Sequence, residues 1–191
     1  MINPAPGVRD FQGTPIPTPG AFALDPAHTL VGFVARHLVV SKVRGGFTAL
    51  SGSITVAEDP LQSSVTVEID TTSIDTHQAD RDTHLRSADF LDVEKFPKLT
   101  FVSTRITDVK NNGFQLVGGL TIKDVTREVT LDVEFDGVAT SPWGQEVVAF
   151  TASTEIDRED FGIMWNQALE AGGFLVGKAV KIEISAEAIR Q

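Results

Sequence analysis

From residue 22 to the C-terminus, the sequence is a series of short segments in which apolar and polar residues alternate. Gly, Asn, Asp or Pro bounds each segment, and the clearest one is Val-Thr-Leu-Asp-Val-Glu-Phe-Asp at 129–136. A period of two residues indicates a β-strand with one buried and one solvated face. The chain is therefore predicted to be mostly β.

Eight long strands follow from this pattern, and a short extra strand is predicted near 21–25. Asn111-Asn112-Gly113 separates two of the long strands, and an Asn-Gly pair supplies the positive φ angles that a tight hairpin needs. The eight predicted strands lie near residues 29–40, 45–57, 63–73, 99–109, 114–122, 129–136, 146–158 and 177–189.

One stretch breaks the β pattern. Residues 76–92 lack the period of two and are rich in Ala, Asp, Arg, His and Leu, which predicts a short helical crossover. Eight antiparallel strands can form a sandwich or a closed barrel, and closure removes exposed strand edges. We therefore predict an all-β, eight-stranded antiparallel β-barrel, whose lumen is about wide enough for one slender ligand.

The N-terminal region differs in composition from the rest of the chain. Five of the nine prolines fall in the first nineteen residues, so residues 1–20 are predicted to be a disordered Pro-rich tail and residues 21–191 a single barrel domain. No basic start followed by an apolar run of signal-peptide length is visible, so a cytoplasmic location is expected. No run of about eighteen apolar residues occurs, so no transmembrane segment is expected.

Charge and composition exclude several functional classes. With 26 acidic and 16 basic side chains the formal charge is −10, so neither a nucleic acid nor an anionic membrane surface is an expected partner. The absence of cysteine excludes disulfides, thiolate metal sites and cysteine nucleophiles. Twelve Phe and no Tyr suit a dry cavity, although a filled core would use Phe equally well.

Several motifs, in order along the chain, resemble those of the YceI-like family. They are Asp25-Pro26-Ala27-His28-Thr29, Gly32-Phe33, His37-Leu38, the segments 41–47 and 81–92, Phe96-Pro97, and the segments 118–126 and 158–163. The resemblance covers about residues 22–190. It implies a lipocalin-like barrel that holds a polyisoprenoid, such as an isoprenoid quinone or a polyprenyl phosphate, in an apolar tunnel. In two respects the chain departs from many relatives: Asp124 stands where they carry Gly, and many of them are exported.

Strand alternation and the resemblance together suggest which side chains line the tunnel. The predicted lining is Phe33, His37, Phe47, Val67, Ile69, Phe101, Leu116, Leu131, Val133, Phe161 and Trp165. A slip of one residue in register would exchange the two faces of a strand. If the ligand carries a phosphate, the candidate head-group contacts are Arg36, Lys42, Arg44, Arg81 and Arg86. For His37, a core histidine with one hydrogen bond is the competing interpretation.

The sequence therefore predicts a non-enzymatic protein that stores or transports a long isoprenoid lipid, with no catalytic residue and no cofactor besides that lipid. One alternative is a metal-dependent hydrolase, because His77, Asp80 and His84 could share a helix face. A second is a filled barrel that binds another protein. The sequence leaves open whether a homodimer forms.

Overall fold

The structure is a computed structural model that describes residues 7–38, 40–170 and 172–191. The described residues form thirteen strands and one α-helix, α1 (Ala79–Arg86), which follows β8. The strands are β1 (Val8–Phe11), β2 (Thr14–Pro17), β3 (Gly20–Leu24), β4 (Leu30–His37), β5 (Ser41–Phe47), β6 (Leu50–Val56), β7 (Ser64–Asp70), β8 (Ile74–Asp75), β9 (Lys98–Lys110), β10 (Gly113–Ile122), β11 (Val125–Thr140), β12 (Glu146–Asp157) and β13 (Val176–Arg190).

Eight of these strands close into an antiparallel barrel, which confirms the predicted fold class. Their order around the barrel is β12, β11, β10, β9, β7, β6, β3 and β13, and β13 pairs back with β12. The closing pair is long, with Val147 opposite Ile189 at one end and Asp157 opposite Ala179 at the other. Closure pairs the backbone of every barrel strand on both sides, so the strand edges are satisfied without a covering layer.

The predicted strand at 45–57 is wrong in detail, because the structure has two strands, β5 and β6, in this region. They have different partners, since β5 pairs with β4 whereas β6 pairs with β3 and β7. β3 pairs with the C-terminal end of β13 and β4 pairs with the rest of it. β4 therefore continues the line of β3 beside β13 after a bend, and β5 and β6 are related in the same way. Alternation shows that a segment is extended, but it does not show where the strand bends and changes its partners in the sheet.

The predicted disordered tail is wrong for residues 7–20, and residues 1–6 lie outside the described residues. β1 and β2 form a hairpin whose turn places Gln12 and Gly13 at φ 54° and 83°. β2 can contain Pro15 and Pro17 because a proline has no N–H to donate and these two positions do not donate to β1. The N–H groups that point to β1 belong to the alternate residues, as the bond from the Thr18 N–H to the Gly7 carbonyl shows.

The hairpin is held against the barrel. Arg9 donates hydrogen bonds to the carbonyls of Ala57 at 2.5 Å and Glu58 at 2.7 Å, and Ile16 is 6% exposed. We call this end of the barrel, which also carries the β9–β10 and β11–β12 turns, the hairpin end.

The opposite end, which we call the crossover end, carries α1, the β4–β5 turn and the segment 162–175 between β12 and β13. α1 confirms the short helical crossover, and the side chain of Gln78 caps it by accepting a hydrogen bond from the Arg81 backbone N–H at 2.6 Å. After α1, Phe90 and Leu91 pack with Ile74 and Phe161 in a buried cluster. This cluster covers part of the crossover end.

Candidate functional site

An internal cavity of about 330 Å³ follows the barrel interior. Its lining begins at the hairpin end with Phe11 and Ile16 and reaches Leu91 and Ile163 at the crossover end. The volume falls within the range of about 300–1,000 Å³ that is common for small-ligand sites. The protein's own side chains therefore do not fill this barrel, in contrast to the filled-barrel alternative.

The lining is almost entirely apolar. Among the described residues that line the cavity, the polar ones are Thr29, Ser63, Thr154 and Arg158. A water molecule inside a protein needs two to four polar partners, so a cavity of this kind holds water poorly. The interior therefore favours an apolar occupant.

Strand alternation explains why the lining is apolar. Along β11, Val129, Leu131 and Val133 line the cavity, while the intervening Thr130 and Asp132 are exposed. The same phase continues across the sheet, because Leu131 lies opposite Leu116 on β10 and Val133 lies opposite Ala152 on β12. Side chains directly opposite each other point to the same face of a sheet. The period of two in the sequence is thus the origin of the apolar interior.

Most of the predicted lining residues face the cavity. They are Phe33, Phe47, Val67, Ile69, Phe101, Leu116, Leu131 and Val133. Their contact with a ligand stays a prediction. Sequence reasoning missed their neighbours Val65 and Phe150, which also line the cavity. Extending the same alternation along β7 and β12 would have found them.

Three predicted lining residues lie elsewhere. His37 ends β4, and its Nδ1 lies 3.5 Å from Ser41 Oγ outside the cavity. Phe161 is 2% exposed and belongs to the packed cluster at the crossover end. The Trp165 ring contacts the rings of His84 and Phe90, with centroids 4.6 and 5.3 Å apart. Phe161 ends a short 3-10 helix after β12 and Trp165 lies in segment 162–175, and strand alternation predicts no facing direction in either.

Arg158 is the charged residue that sequence reasoning did not place at the cavity. It is 4% exposed, and its guanidinium donates to the Ile163 carbonyl at 2.5 Å and to the Gly177 carbonyl at 3.0 Å. Its remaining terminal nitrogen, Nη2, is buried without a partner. Burial lowers the pKa of this guanidinium, whereas the charges of Glu159 and Asp157 act in the opposite direction. Arg158 thus connects the start of segment 162–175 to β13, which follows the segment.

None of the predicted head-group contacts lines the cavity. Arg36, Lys42 and Arg44 project from the outer face, because the opposite face of β4 and β5 carries Phe33 and Phe47. The other two bind nearby backbone: Arg81 donates to the Thr76 carbonyl at 2.9 Å, and Arg86 donates to the Ile74 carbonyl at 2.6 Å. A head-group contact of these five residues would therefore lie outside the cavity lining, and it stays a prediction.

The histidines of the hydrolase alternative do not converge. His77 Nδ1 lies 3.2 Å from Asp75 Oδ2, whereas His84 Nε2 lies 2.8 Å from Asp89 Oδ2. In the described part of the chain, the group of three side chains with the mutual spacing of metal ligands is instead Asp25, His28 and Glu187. Ligation by His77, Asp80 and His84 together has no support in this geometry.

Asp25 and His28 form a partly exposed pair, with Nδ1 of His28 2.7 Å from Oδ2 of Asp25. The hydrogen bond to Asp25, aided by the charges of Asp25 and Glu187, raises the pKa of His28. The same bond, with the Ala27 backbone N–H, lowers the pKa of Asp25. The loop that carries the pair is joined to β13, because the Asp25 N–H and Thr29 Oγ1 both donate to the Glu187 carbonyl.

Within the described residues, no helix has both the length and the apolar character needed to cross a bilayer.

Comparison with known proteins gives one family and a consistent set of relatives. A family model described as a YceI-like domain matches residues 22–188. A UPF0312 protein of Staphylococcus epidermidis is 46% identical over 171 residues, which cover 87% of this chain and 95% of that protein. A UPF0312 protein of Staphylococcus aureus is 43% identical over the same length and shares of both chains.

Solved structures show the same fold. The YCEI protein of Campylobacter jejuni has a TM-score of 0.70 and 28% identity, covering 82% of this chain and 90% of that one. BcnA of Burkholderia cenocepacia has a TM-score of 0.75 and 22% identity, covering 86% and 98%. A polyisoprenoid binding domain from Saccharophagus degradans, implicated in plant cell wall breakdown, has a TM-score of 0.69 and 13% identity, covering 91% and 100%.

Proposed function

The chain belongs to the YceI-like domain family, and from this membership and the apolar cavity we propose that it binds a long-chain polyisoprenoid lipid inside the barrel. The observation that carries the proposal is the cavity itself, which is about 330 Å³ and is lined from end to end by apolar side chains. The fold shared with a polyisoprenoid binding domain supports the same class of ligand.

The energetics of burial favour a long hydrocarbon chain. Each buried CH₂ group contributes about 0.8 kcal/mol, so an isoprene unit of five carbons contributes about 4 kcal/mol when fully enclosed. Association costs about 4–15 kcal/mol in lost translational and rotational freedom. Several enclosed units therefore outweigh this cost without any polar contact.

The cavity lining discriminates between head groups. A phosphate taken out of water needs several hydrogen-bond donors or a paired cation. Arg158 is the charged residue in the described lining; two backbone carbonyls occupy its Nε and Nη1, which leaves Nη2 alone as a donor and not the several donors that a phosphate needs. A polyprenyl phosphate would therefore keep its head outside the lining. The small uncharged head of an isoprenoid quinone is easier to enclose.

The proposed role is storage or transport of this lipid without catalysis. A binding protein needs only to shield the chain from water and release it, and the apolar interior is suited to that task. The cytoplasmic location expected from the sequence stays a prediction, which cell fractionation with an antibody against the protein would check.

Native mass spectrometry of the purified protein, followed by organic extraction, tests the proposal directly. We expect an isoprenoid to be released at about one molecule per chain. Repeated absence of lipid, including after incubation with isoprenoid quinones in detergent, would refute the proposal.

A matched pair of variants tests whether the lipid lies inside the barrel. Ala186 lines the cavity and is half-buried, whereas its neighbour Ser185 is exposed on the same strand. Ala186→Phe places a ring in the lumen and should reduce quinone binding at least about tenfold, because it removes enclosed volume. Ser185→Phe adds the same ring outside and should leave binding unchanged. Equal binding by both variants would place the ligand elsewhere.

A further inference from the structure

Four large apolar side chains are exposed on two adjoining segments at the crossover end. Leu38 and Val40, in the β4–β5 turn, are 41% and 82% exposed, and Met164 and Phe174, in segment 162–175, are 61% and 57% exposed. The two segments are joined by the hydrogen bond from the Leu38 N–H to the Leu175 carbonyl, at 2.9 Å. We call these four residues the apolar rim. Soluble surfaces expose single apolar residues routinely, but a group on adjoining loops marks an interaction surface.

The apolar rim adjoins the cavity along the chain. Met164 follows Ile163 and Phe174 precedes Val176 by two residues, and both Ile163 and Val176 line the cavity. The Asn166 side chain holds this region together, since its Nδ2 donates to the Val176 carbonyl and its Oδ1 accepts from the Val176 N–H. An apolar surface outside the barrel thus meets the apolar interior at this end.

Unpaired positive charge lies beside the apolar rim. Arg36 on β4 is directly opposite Lys42 on β5, and both are exposed. Like charges at directly opposed positions of a sheet destabilise it. In the described part of the chain neither has a carboxylate within 4.0 Å, whereas the next cation on this face, Arg44, pairs with Glu183 at 3.4 Å. This local cation pair stands out in a chain whose formal charge is −10.

We propose that the apolar rim and the Arg36–Lys42 pair dock the crossover end on an anionic lipid bilayer. The apolar side chains insert among the lipids and the two cations face the lipid phosphates, which is the combination that interfacial binding uses. The inference rests on the proposed lipid ligand, because docking at this end brings the cavity to the source of that lipid. The net negative charge does not prevent docking, since charges farther from the surface than about 8 Å are screened at physiological ionic strength.

Vesicle co-sedimentation of the full chain tests the docking surface. The probes are vesicles of phosphatidylcholine with and without phosphatidylglycerol, at about 0.15 M salt. We expect association with the anionic vesicles. Val40→Ser with Phe174→Ser should weaken association at least about tenfold, because two inserted apolar side chains are lost. Arg36→Gln and Lys42→Gln should each weaken it about fivefold, and only for the anionic vesicles.

Trp143 supplies the matched control. It is 84% exposed in the β11–β12 turn at the hairpin end, so Trp143→Ser removes an exposed aromatic side chain far from the apolar rim. This variant should associate like the unaltered protein. No association with either vesicle, or equal loss in Trp143→Ser and in the double variant, would overturn the docking proposal.

Failure of docking and failure of lipid binding can be told apart. Quinone supplied in detergent should still bind to the Val40→Ser, Phe174→Ser double variant, because the cavity is unchanged. Detergent-supplied quinone that binds to a protein showing no vesicle association refutes docking alone. Absence of quinone binding in every form refutes the proposed function, on which the docking inference rests.

Discussion

At the scale of single residues, buried polar groups hold the crossover end in place. The Arg158 guanidinium binds the Ile163 carbonyl at the start of segment 162–175 and the Gly177 carbonyl on β13, just after it. Asp82, which is 7% exposed, accepts from the Thr76 N–H at 2.8 Å. Burial alone would raise the pKa of Asp82. The bonds from the Thr76 hydroxyl and N–H, with the charges of Arg86 and Arg81, outweigh burial and lower it.

Arg158→Met is expected to destabilise the protein by about 3 kcal/mol. Methionine fills similar space but leaves two carbonyls without their charged donor, and hydrogen bonds to charged groups contribute about 1.5–3 kcal/mol. Chemical denaturation measures the change, and hydrogen exchange should rise in segment 162–175. Arg127→Met is the control, because Arg127 donates to the Asp160 carbonyl from an exposed position. Equal stability of the two variants would contradict the bridging role of Arg158.

The Asp25–His28 pair gives a pH prediction. A raised histidine pKa contributes stability below about pH 6.5 that is lost as the pH rises through the raised value. A lowered aspartate pKa contributes stability above about pH 4 that is lost as the pH falls through the lowered value. The pair is therefore fully formed between about pH 4 and 6.5.

Asp25→Asn should lower the pKa of His28 towards its usual value, because the hydrogen bond that the His28 ring donates to the Asp25 carboxylate is the largest cause of the raised pKa. NMR titration of the His28 ring measures this directly. Asp80→Asn, on the exposed face of α1, should leave the His28 titration unchanged. An unaltered His28 pKa in the Asp25 variant would rule out the pair in solution.

At the scale of elements, the β1–β2 hairpin closes one end of the cavity. Phe11, Ile16 and Pro17 line the cavity there, so the hairpin supplies side chains that the barrel strands do not. The high proline content led the sequence analysis to predict disorder here. The hairpin forms nevertheless, because Pro15 and Pro17 occupy strand positions that do not need to donate a hydrogen bond.

Ile16→Ala should destabilise the protein by about 2 kcal/mol, at the lower end of the range for removing a buried isoleucine. The hairpin should then open more often and admit an apolar dye to the cavity. Thermal unfolding and dye fluorescence check the two effects. Pro15→Ala, at the exposed neighbouring position, should change the stability by less than about 1 kcal/mol. Similar losses in both variants would mean that Ile16 is not part of the core.

At the scale of the whole molecule, the barrel is closed but hollow. Closure depends on the pairing of β12 with β13, which joins the two ends of the sheet. The hollow interior leaves side chains without the packing partners that a filled core would provide. An occupant that fits should therefore stabilise the whole barrel.

Bound isoprenoid quinone should raise the melting temperature. A ligand at one hundred times its dissociation constant stabilises the folded state by about 2.7 kcal/mol. For a chain of this size this corresponds to a rise of about 5–10 °C. Calorimetry with increasing quinone measures the rise, which Ala186→Phe should reduce by about half or more at the same quinone concentration. A melting temperature that is independent of quinone would contradict binding to the folded barrel.

The sequence by itself determined which segments are extended and which of their faces is apolar. Residues such as Leu131 and Val133 could be assigned to the interior because a strand's side chains alternate with a period of two. The ordered motifs identified the family, and the family implied the barrel.

Only the tertiary structure decided where the strands of the sheet bend, how the two ends of the barrel are closed and which polar groups form hydrogen bonds with each other. Arg158 and Phe161 lie in a short 3-10 helix and Trp165 lies in segment 162–175, where the strand period of two does not relate position to facing direction. The partners of Arg158, Ile163 and Gly177, are set by how segment 162–175 packs across the crossover end. The hollow interior depends on the packing of side chains from all the barrel strands together. No local pattern in the sequence shows whether those side chains fill the barrel.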